Sequence, residues 1–118
     1  MTLQFIFDGE FTDLNTYIRA ERSNRFMAAK IKKMETERAA WGVIQPEKVV
    51  GRAVISFDWY TKNERKDPDN VSFAKKFLLD GMVKAGLLEN DTRKCIKGFI
   101  DCFFVDKDNP RVEVTIIV

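Results

Sequence analysis

Residues 2–8 alternate. Leu3, Phe5 and Phe7 fall on one side of an extended chain, and Thr2, Gln4, Ile6 and Asp8 on the other. A period of two with aromatic residues predicts a strand with one buried face, ended by Gly9. From Thr12 the period lengthens. Thr12 or Asp13 can cap a helix whose apolar side holds Leu14, Tyr17 and Ile18, and the pattern resumes after Asn24 with Met27, Ile31 and Met34 beside Ala28. This predicts one long helix, or two with a bend near Ser23, ended by Gly42 and Pro46. Its other face carries Arg19, Arg22, Arg25, Lys30, Lys32 and Lys33, a solvated face or a surface for a nucleic-acid backbone. Residues 52–60 alternate again, with Ala53, Ile55, Phe57 and Trp59 on one side, and predict a second strand.

The polar segment 61–66 has no large apolar residue and is expected to form an exposed, mobile loop. After Pro68 a helical stripe of Val71, Ala74, Leu78, Met82 and Ala85 appears. Asp69 or Asn70 is its expected cap, and Gly86 its left-handed stop. A third strand is expected to set Ile96, Ile100, Cys102 and Phe104 against Lys97, Phe99, Asp101 and Phe103. Residues 106–110 (DKDNP) read as a turn, followed by a fourth strand with Val112, Val114, Ile116 and Val118 on one face. The last two strands are expected to form a hairpin. The order β-α-β-α-β-β predicts a small α/β (α+β) domain spanning residues 1–118, with a mixed sheet of about four strands.

Composition narrows the chemistry. The chain has 118 residues, a net charge of +2, two cysteines and no histidine. Without imidazole there is no Cys-His or Ser-His pair and no histidine-ligated zinc site. Carboxylates, lysines and hydroxyls must carry any catalysis. No apolar run approaches the roughly 18 residues of a membrane span, and the short apolar N-terminal stretch is unlike a signal peptide. A cytoplasmic protein with reduced cysteines is therefore expected. Between Lys62 and Lys97 there are nine basic residues against six acids. Should cations cover Asp67, Asp69 and Asp91, that region becomes a surface for a polyanion such as nucleic acid.

Those three acids flank the second helical region. Two carboxylates about 4 Å apart repel by roughly 4 kcal/mol at an effective dielectric of about 20. A helix N-terminus returns only about 0.3–1 kcal/mol per charge. A clustered set therefore calls for a proton or a cation, and magnesium or manganese matches all-oxygen ligands. An EF-hand starting at Asp67 fails, because Ser72 stands where its glycine belongs and Leu78 where its glutamate belongs. Taken alone, Asp-Pro-Asp is equally good turn-and-cap chemistry. Between Asp69 and Gly86 lie 16 residues, about 24 Å of helix. Asp91 meets Asp69 only if the chain doubles back, or if a partner subunit supplies it.

Asp67-Pro-Asp69-Asn70, then Lys76, Leu78, Asp80, Gly81 and Met82, then Gly86 and Asp91 together resemble the motif of the RusA family of Holliday junction resolvases, many of them phage-borne. The resemblance implies a RusA-like fold and a homodimeric, magnesium-dependent endonuclease that resolves four-way DNA junctions by paired nicks. It implies that Asp67, Asp69 and Asp91 bind metal and that Lys76 assists catalysis. Relative to the commonest family spacing, about three extra residues separate Asn70 from Lys76, which leaves Lys75 as a rival for the lysine role. Lys76 lies seven residues past Asp69, on the same helix face as Asp80. The expected DNA contacts are Lys62, Arg65, Lys66, Lys75, Arg93 and Lys94. No membrane and no small-molecule cofactor are expected. The alternative function is a non-catalytic branched-DNA-binding accessory protein in recombination.

Overall fold

Every alternating segment becomes a strand, and in β2 and β4 the alternation buries one side of the strand and leaves the other partly exposed. The structure is a computed structural model that describes residues 1–44 and 47–118. Its strands are β1 (Thr2–Asp8), β2 (Ala53–Thr61), β3 (Ile96–Val105) and β4 (Arg111–Ile117). They form one mixed sheet in the order β1-β4-β2-β3. Strand β4 runs antiparallel to both β1 and β2, and β2 runs parallel to β3. Register places Phe5, Val114, Phe57 and Asp101 in one row across the sheet. Phe7, Val112, Val114, Ile116, Ile55, Phe57 and Trp59 on that side are buried.

Helices cover that side alone. They are α1 (Leu14–Ser23), α2 (Arg25–Gly42), α3 (Pro68–Ser72) and α4 (Lys75–Lys84). Asn24 makes the break between α1 and α2. Its backbone is extended, and its side chain accepts a hydrogen bond from the Phe26 N–H at 2.8 Å, so it ends one helix and caps the next. Helix α2 ends at Gly42 as expected, while Pro46 lies outside the described residues. Helix α4 buries Phe77, Leu78, Leu79 and Met82 in the core shared with the sheet. It also lies directly against α2. A Cβ at Gly81 would stand 2.8 Å from the Ala40 nitrogen and 2.9 Å from the Thr36 oxygen. Only a glycine there lets the two backbones approach so closely.

Three expectations are corrected. The single helix expected after Pro68, capped by Asp69 or Asn70, is two, α3 with Asp67 at its N-cap and α4 with Ala74 at its N-cap, because the chain tightens at Phe73 and Ala74 between them. The last two strands are not a hairpin. Strand β2 lies between β3 and β4, and residues 106–110 step over its end, with the Asp106 N–H donating to the Thr61 carbonyl at 2.8 Å. Parallel strands need a crossover, and α3 and α4 supply it from β2 to β3. The faces of β3 also differ from the alternation. A register shift opposite Ala53 and Val54 puts Ile96 on the helix side with Phe99, Asp101 and Phe103, leaving Ile100, Cys102 and Phe104 on the open side. The sheet edges are therefore β1 and β3, and the chain's last strand is internal. No helix among the described residues is long and apolar enough to cross a membrane.

Candidate functional site

The turn at Asp67 and Asp69 is held on both flanks by the start of α1. On one flank Lys66 reaches Glu10 at 3.3 Å and Asp13 at 3.1 Å. On the other, the buried Asn70 accepts the Asn15 N–H at 2.9 Å. The loop before the turn is thus anchored at its end, and its exposed part is limited to Lys62, Glu64 and Arg65. Asp13 has a second task, because its side chain caps α1 by accepting the Thr16 N–H at 2.7 Å. Burial alone would raise the Asp13 pKa, but the Thr16 bond and Lys66 outweigh it and hold the carboxyl below its usual range. Burial would likewise lower Lys66, which Asp13 and Glu10 instead push up.

The sign of the stability effect follows. A carboxyl whose folded pKa lies below its unfolded value, about 3.9, stabilises the fold above that value. The contribution fades as pH falls through the folded pKa. Asp13→Asn keeps a capping oxygen and loses the charge. Its urea midpoint is expected to lie below the parent's at pH 7, with the gap narrowing below about pH 4. A gap that stays constant down to pH 2 would contradict the clasp.

Asp67 occupies the N-cap position of α3 with Pro68 after it, yet its side chain makes no cap hydrogen bond. The caps at Asp13 and Asn24 both do. Asp69, in the first turn, also has no side-chain hydrogen bond or ion pair among the described residues. Both carboxylates are exposed. Ordinary helix capping therefore does not account for their oxygens.

The chain doubles back to bring Asp91 to Lys76, near the start of α4. Gly86 has φ 82°, the Leu87 N–H donates to the Met82 carbonyl at 3.0 Å, and the Gly86 N–H donates to Val83 at 3.0 Å. This paired closure by a left-handed glycine reverses the chain at the helix end. Leu87 and Leu88 then bury themselves in the core, and the return path runs beside α4. Asp91 ends 3.3 Å from the Lys76 ammonium, which also pairs with Asp80 at 3.2 Å. Asp91 thus meets Lys76 within one chain. Hydrogen bonding to Asp80, against a smaller opposing effect of burial and with help from Asp91, raises the Lys76 pKa. Lys76 and Asp69 lie seven positions apart in sequence, on α4 and α3, with Phe73 and Ala74 between the two helices.

Lys75 points elsewhere. Its ammonium is 2.6 Å from Asp101 on β3 and 4.6 Å from the centre of the Phe99 ring, and the Trp59 indole N–H donates to the same carboxylate at 2.9 Å. Lys75 and Lys66 are engaged inside the fold. Lys62 and Arg65 on one side, and Arg93 and Lys94 just beyond Asp91 on the other, are exposed. Sequence reasoning missed Glu10, Asn15 and Asp101. Nothing in a local pattern marks them, because their roles exist only across elements. Asp13 was visible as a cap, which was a partial signal.

Among the described residues, no three His, Cys, Asp or Glu side chains stand close enough to enclose an ion. Asp67, Asp69 and Asp91 do not form a closed ligand set in this arrangement. Close approach without a cation carries the repulsion of roughly 4 kcal/mol per pair noted above. Neither a family model nor a curated protein matches the chain.

Proposed function

We propose that this protein is a magnesium-dependent endonuclease that cuts four-way DNA junctions, working as a homodimer in the cytoplasm. The observation that carries the proposal is the pair of carboxylates at Asp67 and Asp69 that no cap bond or ion pair engages among the described residues, in a turn clasped by Lys66 and Asn70, with Lys76 paired to Asp91 near the start of α4. The donor set is all oxygen, which suits magnesium or manganese. Asp67, Asp69 and Asp91 would hold the ion, which when bound supplies an activated water and offsets phosphate charge.

The chain's own residues do the rest. The clasp of Lys66 and Asn70 fixes the turn. Lys76, its pKa raised, stays protonated at neutral pH and cannot act as a general base. Its task is to stabilise negative charge on a phosphate oxygen or on the leaving oxygen. Lys62 and Arg65 on one flank, with Arg93 and Lys94 on the other, contact the DNA backbone. Asp80 keeps Lys76 extended toward Asp91.

One observation favours the alternative, a junction-binding accessory protein that does not cut: among the described residues no three His, Cys, Asp or Glu side chains are grouped so as to hold an ion. An end-labelled synthetic junction separates the two. The proposal expects nicks with magnesium, none with a chelator, and little cutting of linear duplex. Salt-sensitive binding without nicks under magnesium or manganese would instead establish the accessory protein.

A further inference from the structure

Helices α2 and α4 leave an open groove of about 300 Å³ along their seam, lined by Ala29, Lys32, Lys33 and Thr36 of α2 and by Asp80 and Lys84 of α4. Spacing accounts for the lining. Positions 29, 32, 33 and 36 form one stripe of a helix, and 80 and 84 lie one turn apart. The close approach of the two backbones at Gly81 sets the stripes side by side.

The lysines of this groove lack the partners that their spacing offers. Glu35 stands three residues past Lys32, but it accepts the Thr12 N–H at 2.7 Å and pairs with Arg38 at 3.3 Å. Glu37 stands four past Lys33, but it reaches across to Lys84 at 3.6 Å, in a loose pair with both side chains about half exposed. Lys32 and Lys33 are exposed and make no ion pair among the described residues. The groove's own acid, Asp80, is held by Lys76 at 3.2 Å. Its lining thus holds three lysines and no unpaired carboxylate. The Thr36 hydroxyl beside them is closed off from solvent and has no hydrogen-bond partner among the described residues, a state that calls for a water or an ion nearby.

We propose that this groove seats phosphates of a DNA backbone and leads an arm of the substrate away from Lys76 along the α2–α4 seam. All six lining residues lie within helices, so their backbone N–H groups are already bonded and only side chains can bind. Contact by charge without a backbone cradle suits a repeating chain of phosphodiesters better than one small anion. Asp80 joins the groove to the candidate site, because it lines the one and holds Lys76 in the other. Lys76, Asp80 and Lys84 follow one another by single turns of α4, about 12 Å from first to last. One strand of a duplex presents a phosphate about every 3.4 Å of axis, so this row spans roughly three or four of them. Lys32, Lys33 and Lys84 are additional to the flanking cations Lys62, Arg65, Arg93 and Lys94. That the polyanion is DNA rests on the nuclease reading; the charge of the groove does not.

Fluorescence anisotropy of a labelled four-way junction in a chelator, across a potassium chloride titration, tests the groove without cutting. Each phosphate neutralised adds about 0.9 to the slope of log K against log salt. Lys32→Gln/Lys33→Gln/Lys84→Gln is expected to bind more weakly at low salt, with a slope shallower by about 2–3, on the junction and on linear duplex alike. Lys30→Gln/Lys48→Gln/Lys107→Gln removes the same charge outside the groove and is expected to change the slope by less than about 1. Circular dichroism checks the fold of both. A groove variant with the parent's slope, or an equal loss in the control, would overturn the proposal and leave the nuclease reading standing. A parent that binds but does not cut in a separate magnesium reaction would sink that reading and leave the groove. A parent that binds no DNA would overturn both. Inorganic phosphate that raises the Tm of the parent but not of the groove variant, with DNA binding equal in the two, would assign the groove to a free anion and overturn the proposal.

Discussion

Asp69→Asn is expected to abolish junction cutting while leaving the fold and junction binding intact. The Asp69 carboxylate makes no side-chain hydrogen bond or ion pair to any described residue, so the amide removes charge and little else. Its backbone carbonyl, which accepts the Phe73 N–H at 3.2 Å, is unchanged. An ion held by carboxylates offsets several kcal/mol of developing charge, and each 1.36 kcal/mol is a factor of ten in rate. A loss of at least about 10³-fold follows. Binding should hold or tighten, because a negative charge facing phosphates is gone. Single-turnover cleavage and gel-shift measurements on the same preparation check both halves. Cutting that persists in Asp69→Asn would remove Asp69 from the site.

The second large effect separates the neighbouring lysines. Lys76→Ala is expected to slow cutting by about 10²–10³, the usual loss when one donor to a developing oxyanion is removed. Its effect on stability should be small, since the side chain is about half exposed and its ion pairs are largely screened. Lys75→Ala should do the reverse. It leaves the Asp101 carboxylate with the Trp59 N–H as its one side-chain partner among the described residues, and removes the ammonium that lies over the Phe57 and Phe99 rings. Stability should fall by about 1–3 kcal/mol, with cutting per folded molecule retained. A urea titration beside the cleavage assay reads both. An inactive but fully stable Lys75→Ala would exchange the two roles.

Much of this fold was legible in the sequence because its signals are local. Alternation marked β1, β2 and β4 by their buried sides, Gly86 marked the helix end, and the doubt near Ser23 became the Asn24 break. Strand pairing was not local. The DKDNP turn looked like a hairpin, but the helical crossover between β2 and β3 makes those two parallel neighbours and carries the chain past β2 before β4. A register shift near Ile96 then inverted the expected grouping of Ile96 with Ile100, Cys102 and Phe104. At the candidate site, the resemblance singled out Asp67, Asp69, Lys76 and Asp91, and the period of an expected single helix favoured Lys76 over Lys75, although that helix is interrupted at Phe73 and Ala74. The clasp through Glu10, Asp13 and Asn15 could not be read, because those residues sit some 55 positions from their partners and have no spacing in common with them.

The central claim, paired metal-dependent cutting of a four-way junction, is tested most directly on a supercoiled plasmid that extrudes a cruciform. Two coordinated nicks across the junction convert supercoiled circles straight to linear DNA. Magnesium-dependent linear product from the parent, absent with Asp69→Asn, is the predicted result. Circles that stay supercoiled under magnesium and manganese, although the protein binds them, would contradict it.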